Sequence, residues 1–198
     1  MPAQSNLDFV YAACPHSWLL VADDLHHQAI TVYKRRGQSY LGHYDYRKGT
    51  PRQVDTTNRT AFLLGGFALE NAIKAFLVYE KPTWISNGAL ARPLRSHHLL
   101  DLKSKSTLIP YRSKYDATIA AFESGLDSWA RYPCNLSAEK TNDEPILTDR
   151  QWQAYLVIMR AYGRRLHQLL EKPWVGPHGF TAQYGFRDFM SLASSLTL

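Results

Sequence analysis

Three groups of side chains have the types and spacing to do chemistry. Within the apolar stretch 60–79, Glu70, Asn71 and Lys74 share roughly a 100° arc of a helix. Either Glu70 and Lys74, four residues apart, satisfy each other, or the arc lines a polar cleft where the carboxylate orients an arginine or histidine. The run Arg92-Pro93-Leu94-Arg95-Ser96-His97-His98 sets four basic or titratable groups at a loop-to-helix junction. Free N–H groups at a helix start already attract anions, and Arg92, Arg95 and His97 add to that attraction, so phosphate suits the site. Alternatively one histidine packs or caps and the other is solvated. On the last main helix Arg160, Arg164 and His167 project within about a 60° arc, on a flank that faces either solvent or a partner.

Several other chemistries lack their residues. The chain has no Gly-x-Gly-x-x-Gly, P-loop, Gly-x-Ser-x-Gly or His-Glu-x-x-His pattern. The adjacent pairs His26-His27 and His97-His98 diverge by about 100° on a helix, so neither is expected to share a metal; no metal site and no cofactor are expected. Cys14 and Cys134 lie far apart, which argues for reduced thiols in a cytoplasmic protein. No leader-like start and no stretch near the roughly 18 apolar residues of a membrane span is evident. The net charge of +6 favours an anionic partner.

The elements that must position these groups are helical. Residues 15–36 form a first helix, with Pro15 at its start, Lys34 to Arg36 at its C-terminus and Gly37 as its left-handed stop. Residues 38–59 read as a long loop with room for a short extended piece. The stretch 60–79 is apolar almost all round and belongs at the centre, with Gly65 and Gly66 allowing close approach and Pro82 ending it. A short helix over 97–105 starts from Ser96 as N-cap, and an amphipathic helix covers 112–129, stopped by Arg131-Tyr132-Pro133. After a loop at 134–147, Thr148 and Gln151 make a capping box for a helix to residue 171, whose core stripe is Trp152, Tyr155, Met159, Tyr162, Leu166, Leu169 and Leu170. The expected fold is an all-α antiparallel bundle of about five helices over 1–172, with an aromatic tail at 173–198 docked on it or on a partner.

The segment Phe67-Ala68-Leu69-Glu70-Asn71-Ala72-Ile73-Lys74-Ala75-Phe76-Leu77, followed by Ser96-His97-His98-Leu99-Leu100-Asp101-Leu102 and then Arg131-Tyr132-Pro133, resembles bacterial HEPN-like proteins over residues 60–171. The resemblance implies a helical bundle that often dimerises, and an activity as a metal-independent ribonuclease in toxin–antitoxin or phage-defence systems. It implies an arginine followed after a short spacing by a histidine, which Arg92 with His97 and Arg160 with His167 both fit. The candidate catalytic set is therefore Arg160, His167, Arg92 and His97, with Glu70 as their orienting carboxylate; Lys74, Arg95, His98 and Arg164 are candidate RNA contacts. The implied partners are RNA, a second copy of the chain, and an antitoxin or other defence protein. A rival reading is a non-catalytic dimerisation module that binds a protein or nucleotide; Pro93 and Ala161, each following an arginine where the family's motif has a polar residue, favour it.

Overall fold

The computed structural model describes residues 4–38, 40–111, 113–128, 130–132, 136–141 and 148–183. The chain is mostly helical. Helix α1 spans Gln4–Ala13 and α2 spans Pro15–Lys34; Pro15 opens α2 at a position where no N–H is needed. Gly37, at φ +79°, follows α2 in the left-handed region that glycine adopts freely. Strands β1 (Tyr40–Asp45) and β2 (Thr50–Asp55) then pair antiparallel, with Tyr40 opposite Asp55 and Asp45 opposite Thr50. This hairpin replaces the loop expected at 38–59. Its turn is held by Asp45 Oδ1, which accepts from Arg47 N at 2.9 Å, and by Gly49 at φ +64°.

Helix α3 (Thr56–Glu80) begins directly after the hairpin, four residues earlier than the apolar pattern suggested. Two one-turn 3-10 segments, Pro82–Ile85 and Arg92–Arg95, lead to α4 (Leu99–Ser104), and α5 (Asp116–Asp127) follows. Helix α5 starts four residues later and ends two residues earlier than the 112–129 expected, and Tyr111, at φ 58°, sits in a left-handed conformation before it. The single turn α6 (Ala138–Thr141) precedes α7 (Asp149–Leu170). The capping box forms as expected: Gln151 N donates to Thr148 Oγ1 at 3.2 Å, and Thr148 N donates to Gln151 Oε1 at 3.1 Å.

Helices α2, α3, α5 and α7 alternate in direction. His26 meets Tyr155, and Tyr33 stacks on Trp152 at 4.0 Å, so α2 and α7 run antiparallel. Phe76 touches Tyr162, whereas Gly65 lies against Phe122 and Tyr155, which makes α3 and α7 the parallel diagonal of an up-down-up-down set. The two glycines serve that packing: a Cβ at Gly65 would stand 2.8 Å from Phe122 Cε1, and one at Gly66 2.9 Å from Leu126 Cγ. By length and composition α3 could cross a membrane, contrary to the expectation that no stretch comes near a span; most of it is buried among the neighbouring helices.

The α2–α7 seam carries its own polar chemistry. Tyr33 donates to Asp149 Oδ1 at 2.5 Å, and Arg36 donates to the same oxygen at 2.6 Å. Burial and the Asp149 carboxylate push the Tyr33 hydroxyl up to about 12. Deeper in, His26 Nδ1 and the Tyr155 hydroxyl lie 2.8 Å apart. Burial brings His26 down to about 4 and holds Tyr155 well above its ordinary value, so both are neutral at pH 7.

Strands β3 (Trp174–Val175) and β4 (Thr181–Ala182) form a second small hairpin that docks on the bundle. Trp174 is buried and its Nε1 donates to the Tyr79 carbonyl at 3.3 Å, while Phe180 packs edge-on to Tyr11. The expected docking of the tail therefore holds for 174–183; Tyr184, Phe186 and Phe189 lie outside the described residues, as do Cys134 and Pro133.

Candidate functional site

Glu70 and Lys74 are both buried in α3, and Lys74 Nζ donates to Glu70 Oε1 at 2.5 Å. The internal pair anticipated from their spacing is present. It does not exhaust the carboxylate, because Glu70 Oε2 also lies 2.9 Å from His97 Nδ1. Glu70 is thus shared between an ammonium one turn away and a histidine from a different element, and it does orient a histidine as the cleft reading required. Lys74 Nζ also stands 5.6 Å from the ring centre of Trp18 on α2, so the cation meets a carboxylate on one side and an aromatic face on another. Asn71 leaves the trio: its Nδ2 donates to the Phe67 carbonyl at 2.7 Å, an ordinary side-chain bond to the previous turn.

Local sequence explains how His97 reaches Glu70. Pro93 fits the 3-10 turn Arg92–Arg95, and Leu94 and Leu99 are both buried. These two anchors pin the chain on either side of His97 and His98, which are left at the surface. Ser96 does not cap a helix beginning at residue 97; its Oγ accepts from His98 N at 3.1 Å, and α4 starts two residues later than expected with His98 at the N-cap position. The His97 side chain is 48% exposed while Glu70 is 6% exposed, so a buried acceptor holds a solvent-facing ring. Because a carboxylate only accepts, His97 Nδ1 carries the proton, and the neutral ring keeps a lone pair on Nε2.

The histidines at 97 and 98 diverge as adjacent residues should. His97 turns to α3, and His98 turns to α5, where its Nδ1 lies 3.9 Å from Glu123 Oε1 and 3.8 Å from Asp127 Oδ2. Arg92 and Arg95 are exposed beside them; Arg95 Nε donates to the Leu90 carbonyl at 2.9 Å. Four basic or titratable groups thus surround one short surface segment, with one of them fixed by a buried acid.

The second Arg–His pair has a different setting. Arg160 is half-buried and Arg164 exposed on α7, away from the stripe of Tyr155, Met159, Tyr162 and Leu166. His167 Nδ1 pairs with Glu171 Oε1 at 3.1 Å, one turn along; the histidine is half-buried and its acid is exposed. A solvent-exposed carboxylate such as Glu171 is a weaker electrostatic partner than the buried Glu70. The Arg131 guanidinium of the expected Arg131-Tyr132-Pro133 feature lies 5.6 Å from the Tyr132 ring centre, whose carbonyl accepts from Arg59 at 2.7 Å.

Sequence reasoning missed Glu123 and Asp127. Their only sequence signal is the four-residue spacing that sets both on one face of α5; their approach to His98 depends on how α4 docks against α5. The chain matches no family model, no curated protein and no solved structure.

Proposed function

We propose that this protein is a HEPN-like, metal-independent ribonuclease, or a toxin or phage-defence protein derived from one, working as a cytoplasmic homodimer. His97 is its base, with Arg92 and Arg95 as phosphate-binding cations. The bond between His97 Nδ1 and Glu70 Oε2 carries the reading. A buried carboxylate that fixes the tautomer of an exposed histidine leaves Nε2 as proton acceptor on the solvent side.

In this reaction Nε2 of His97 takes the proton of an RNA 2′-hydroxyl, and the 2′-oxygen attacks the adjacent phosphorus. The 5′-oxygen leaves with a proton from the medium or from a histidine of the second copy, and the product is a cyclic phosphate. Arg92, exposed five residues before His97, meets the charge that builds on the phosphorane oxygens. Glu70 acts through His97 and is a positioning residue. Arg95, His98 and Lys74 supply further positive charge near the strand, Lys74 only through Glu70 because it is buried. Arg160 and His167 are the alternate pair, with Arg164 beside them as a phosphate contact. A cognate antitoxin or another defence protein would restrain the activity.

A second reading, the non-catalytic dimerisation module that binds a protein or nucleotide, draws on Pro93 and on the bond that ties Arg95 to its own loop. Incubating the pure protein with total RNA in EDTA separates the two. The ribonuclease reading expects cleavage that His97→Ala abolishes and His167→Ala spares. Absence of cleavage, or cleavage indifferent to both substitutions, sinks it; salt-dependent RNA binding without cleavage supports the module.

A further inference from the structure

Among the described residues, one cluster outside the Glu70–His97 pair combines an imidazole with two carboxylates. His98, Glu123 and Asp127 each offer one ligand atom, and all three atoms lie within 4.8 Å of one another. Atoms at most 4.8 Å apart share a point no farther than about 2.8 Å from each (4.8 divided by √3). Shifts of at most about 0.5–0.8 Å in these partly exposed side chains would bring that point to the roughly 2.0–2.3 Å of a bound first-row metal.

Three features distinguish the cluster from a solvated charge pair. Glu123 Oε2 accepts from Leu100 N at 2.9 Å, which orients the carboxylate and leaves Oε1 facing His98. Ser96 Oγ fixes the His98 backbone from the other side. Charge is the third. Glu70, Asp101, Asp116 and Asp149 each meet a lysine or an arginine. Glu123 and Asp127, like Glu80 and Glu171, have no such partner among the described residues, but here two carboxylates converge on one histidine. Two carboxylates facing one imidazole leave an excess negative charge within a protein of net charge +6.

We infer that His98, Glu123 and Asp127 form a binding site for a divalent transition cation, of the Zn2+ or Mn2+ class, with water completing its coordination. One nitrogen and two oxygens favour such an ion over Mg2+ or Ca2+, which take oxygen ligands. The ion would clamp the start of α4 to α5 and so stiffen the segment that carries His97. It takes no part in the proposed cleavage: EDTA empties this site and leaves the His97–Glu70 bond intact, so the two readings fail separately.

The full-length protein is stripped with EDTA, dialysed, and its thermal unfolding followed with Zn2+, Mn2+ or Mg2+ at tenfold molar excess, alongside isothermal titration. Wild type is expected to gain several degrees with Zn2+ or Mn2+, with little change for Mg2+. His98→Ala and Asp127→Asn are each expected to weaken binding at least tenfold, whereas His27→Ala, on exposed α2 surface, keeps it. If a substitution unfolds the chain, Co2+ absorption of the wild type gives an independent readout of a mixed nitrogen and oxygen ligand set. No metal-dependent shift in wild type, an equal shift in the variants, or a Co2+ spectrum matching the free ion would overturn the assignment.

Discussion

Replacing Glu70 by glutamine keeps the side chain's shape and removes its charge. Lys74 is then left with only 4% of its side chain exposed and, among the described residues, no paired carboxylate. Removing one partner of a buried ion pair typically costs about 3–5 kcal/mol, because the remaining charge is desolvated without compensation. The Trp18 ring stands 5.6 Å from the ammonium in both proteins and so cancels, and the low end of that range, a loss of about 3 kcal/mol, is expected. For a chain of this length that is roughly a 10 °C fall in Tm. The double change Glu70→Gln with Lys74→Met removes both charges and should recover most of the loss, since well-packed apolar replacements of buried pairs are often neutral. Urea denaturation of wild type, both single variants and the double variant gives the coupling energy directly. A Glu70→Gln variant within about 0.5 kcal/mol of wild type, or a double variant no better than the single, would refute the claim that this pair is buried and mutually dependent.

Other predictions concern the frame. Burial holds His26 at about 4, below the ordinary 6.5, so the unfolded chain binds a proton first as the pH drops. The stability is complete above pH 6.5 and is lost towards pH 4, by about 3 kcal/mol over the window. Urea midpoints at pH 7, 5.5 and 4.5 should show this extra slope in wild type and not in His26→Phe; equal slopes would reject it. Gly65→Ala should cost up to about 2 kcal/mol net, because the clash with the Phe122 ring, roughly 1–3 kcal/mol, is set against about 1 kcal/mol of helix propensity. A stabilised Gly65→Ala protein would mean that α3 and α5 can separate freely. Thr148→Ala should lower stability by about 1 kcal/mol through loss of the α7 cap, read as a shift in Tm of a few degrees.

Much of this was legible in the chain because the signals are local. Thr148 and Gln151 cap α7 through bonds three residues apart, and Pro15 and Gly37 mark α2 by backbone geometry alone. The apolar run of α3 announced a buried helix and, through Glu70, a carboxylate needing a partner; its spacing with Lys74 gave half of that partnership. Other features depend on tertiary contact. Nothing near residue 70 names His97 as the second partner, since Leu94 and Leu99 deliver it only once both are buried. The hairpin was hidden because Gly42, Gly49 and Pro51 interrupt the alternation that would mark two strands. Helix α1 lacks a clear amphipathic period and buries only Val10 and Ala13, so packing against α2 decides it. Glu123 and Asp127 read as the wet face of an amphipathic helix until α4 is placed beside them.

The central claim is that a buried Glu70 fixes the tautomer of an exposed His97. Two-bond 1H–15N correlation of ring-labelled histidines, assigned through His97→Gln and recorded at a pH where the rings are neutral, reads that directly. The expected spectrum places the His97 proton on Nδ1 and a bare lone pair on Nε2, with reversion in Glu70→Gln towards the Nε2–H form that free histidine prefers. A wild-type His97 already in the Nε2–H form, or one unchanged by Glu70→Gln, would contradict the account.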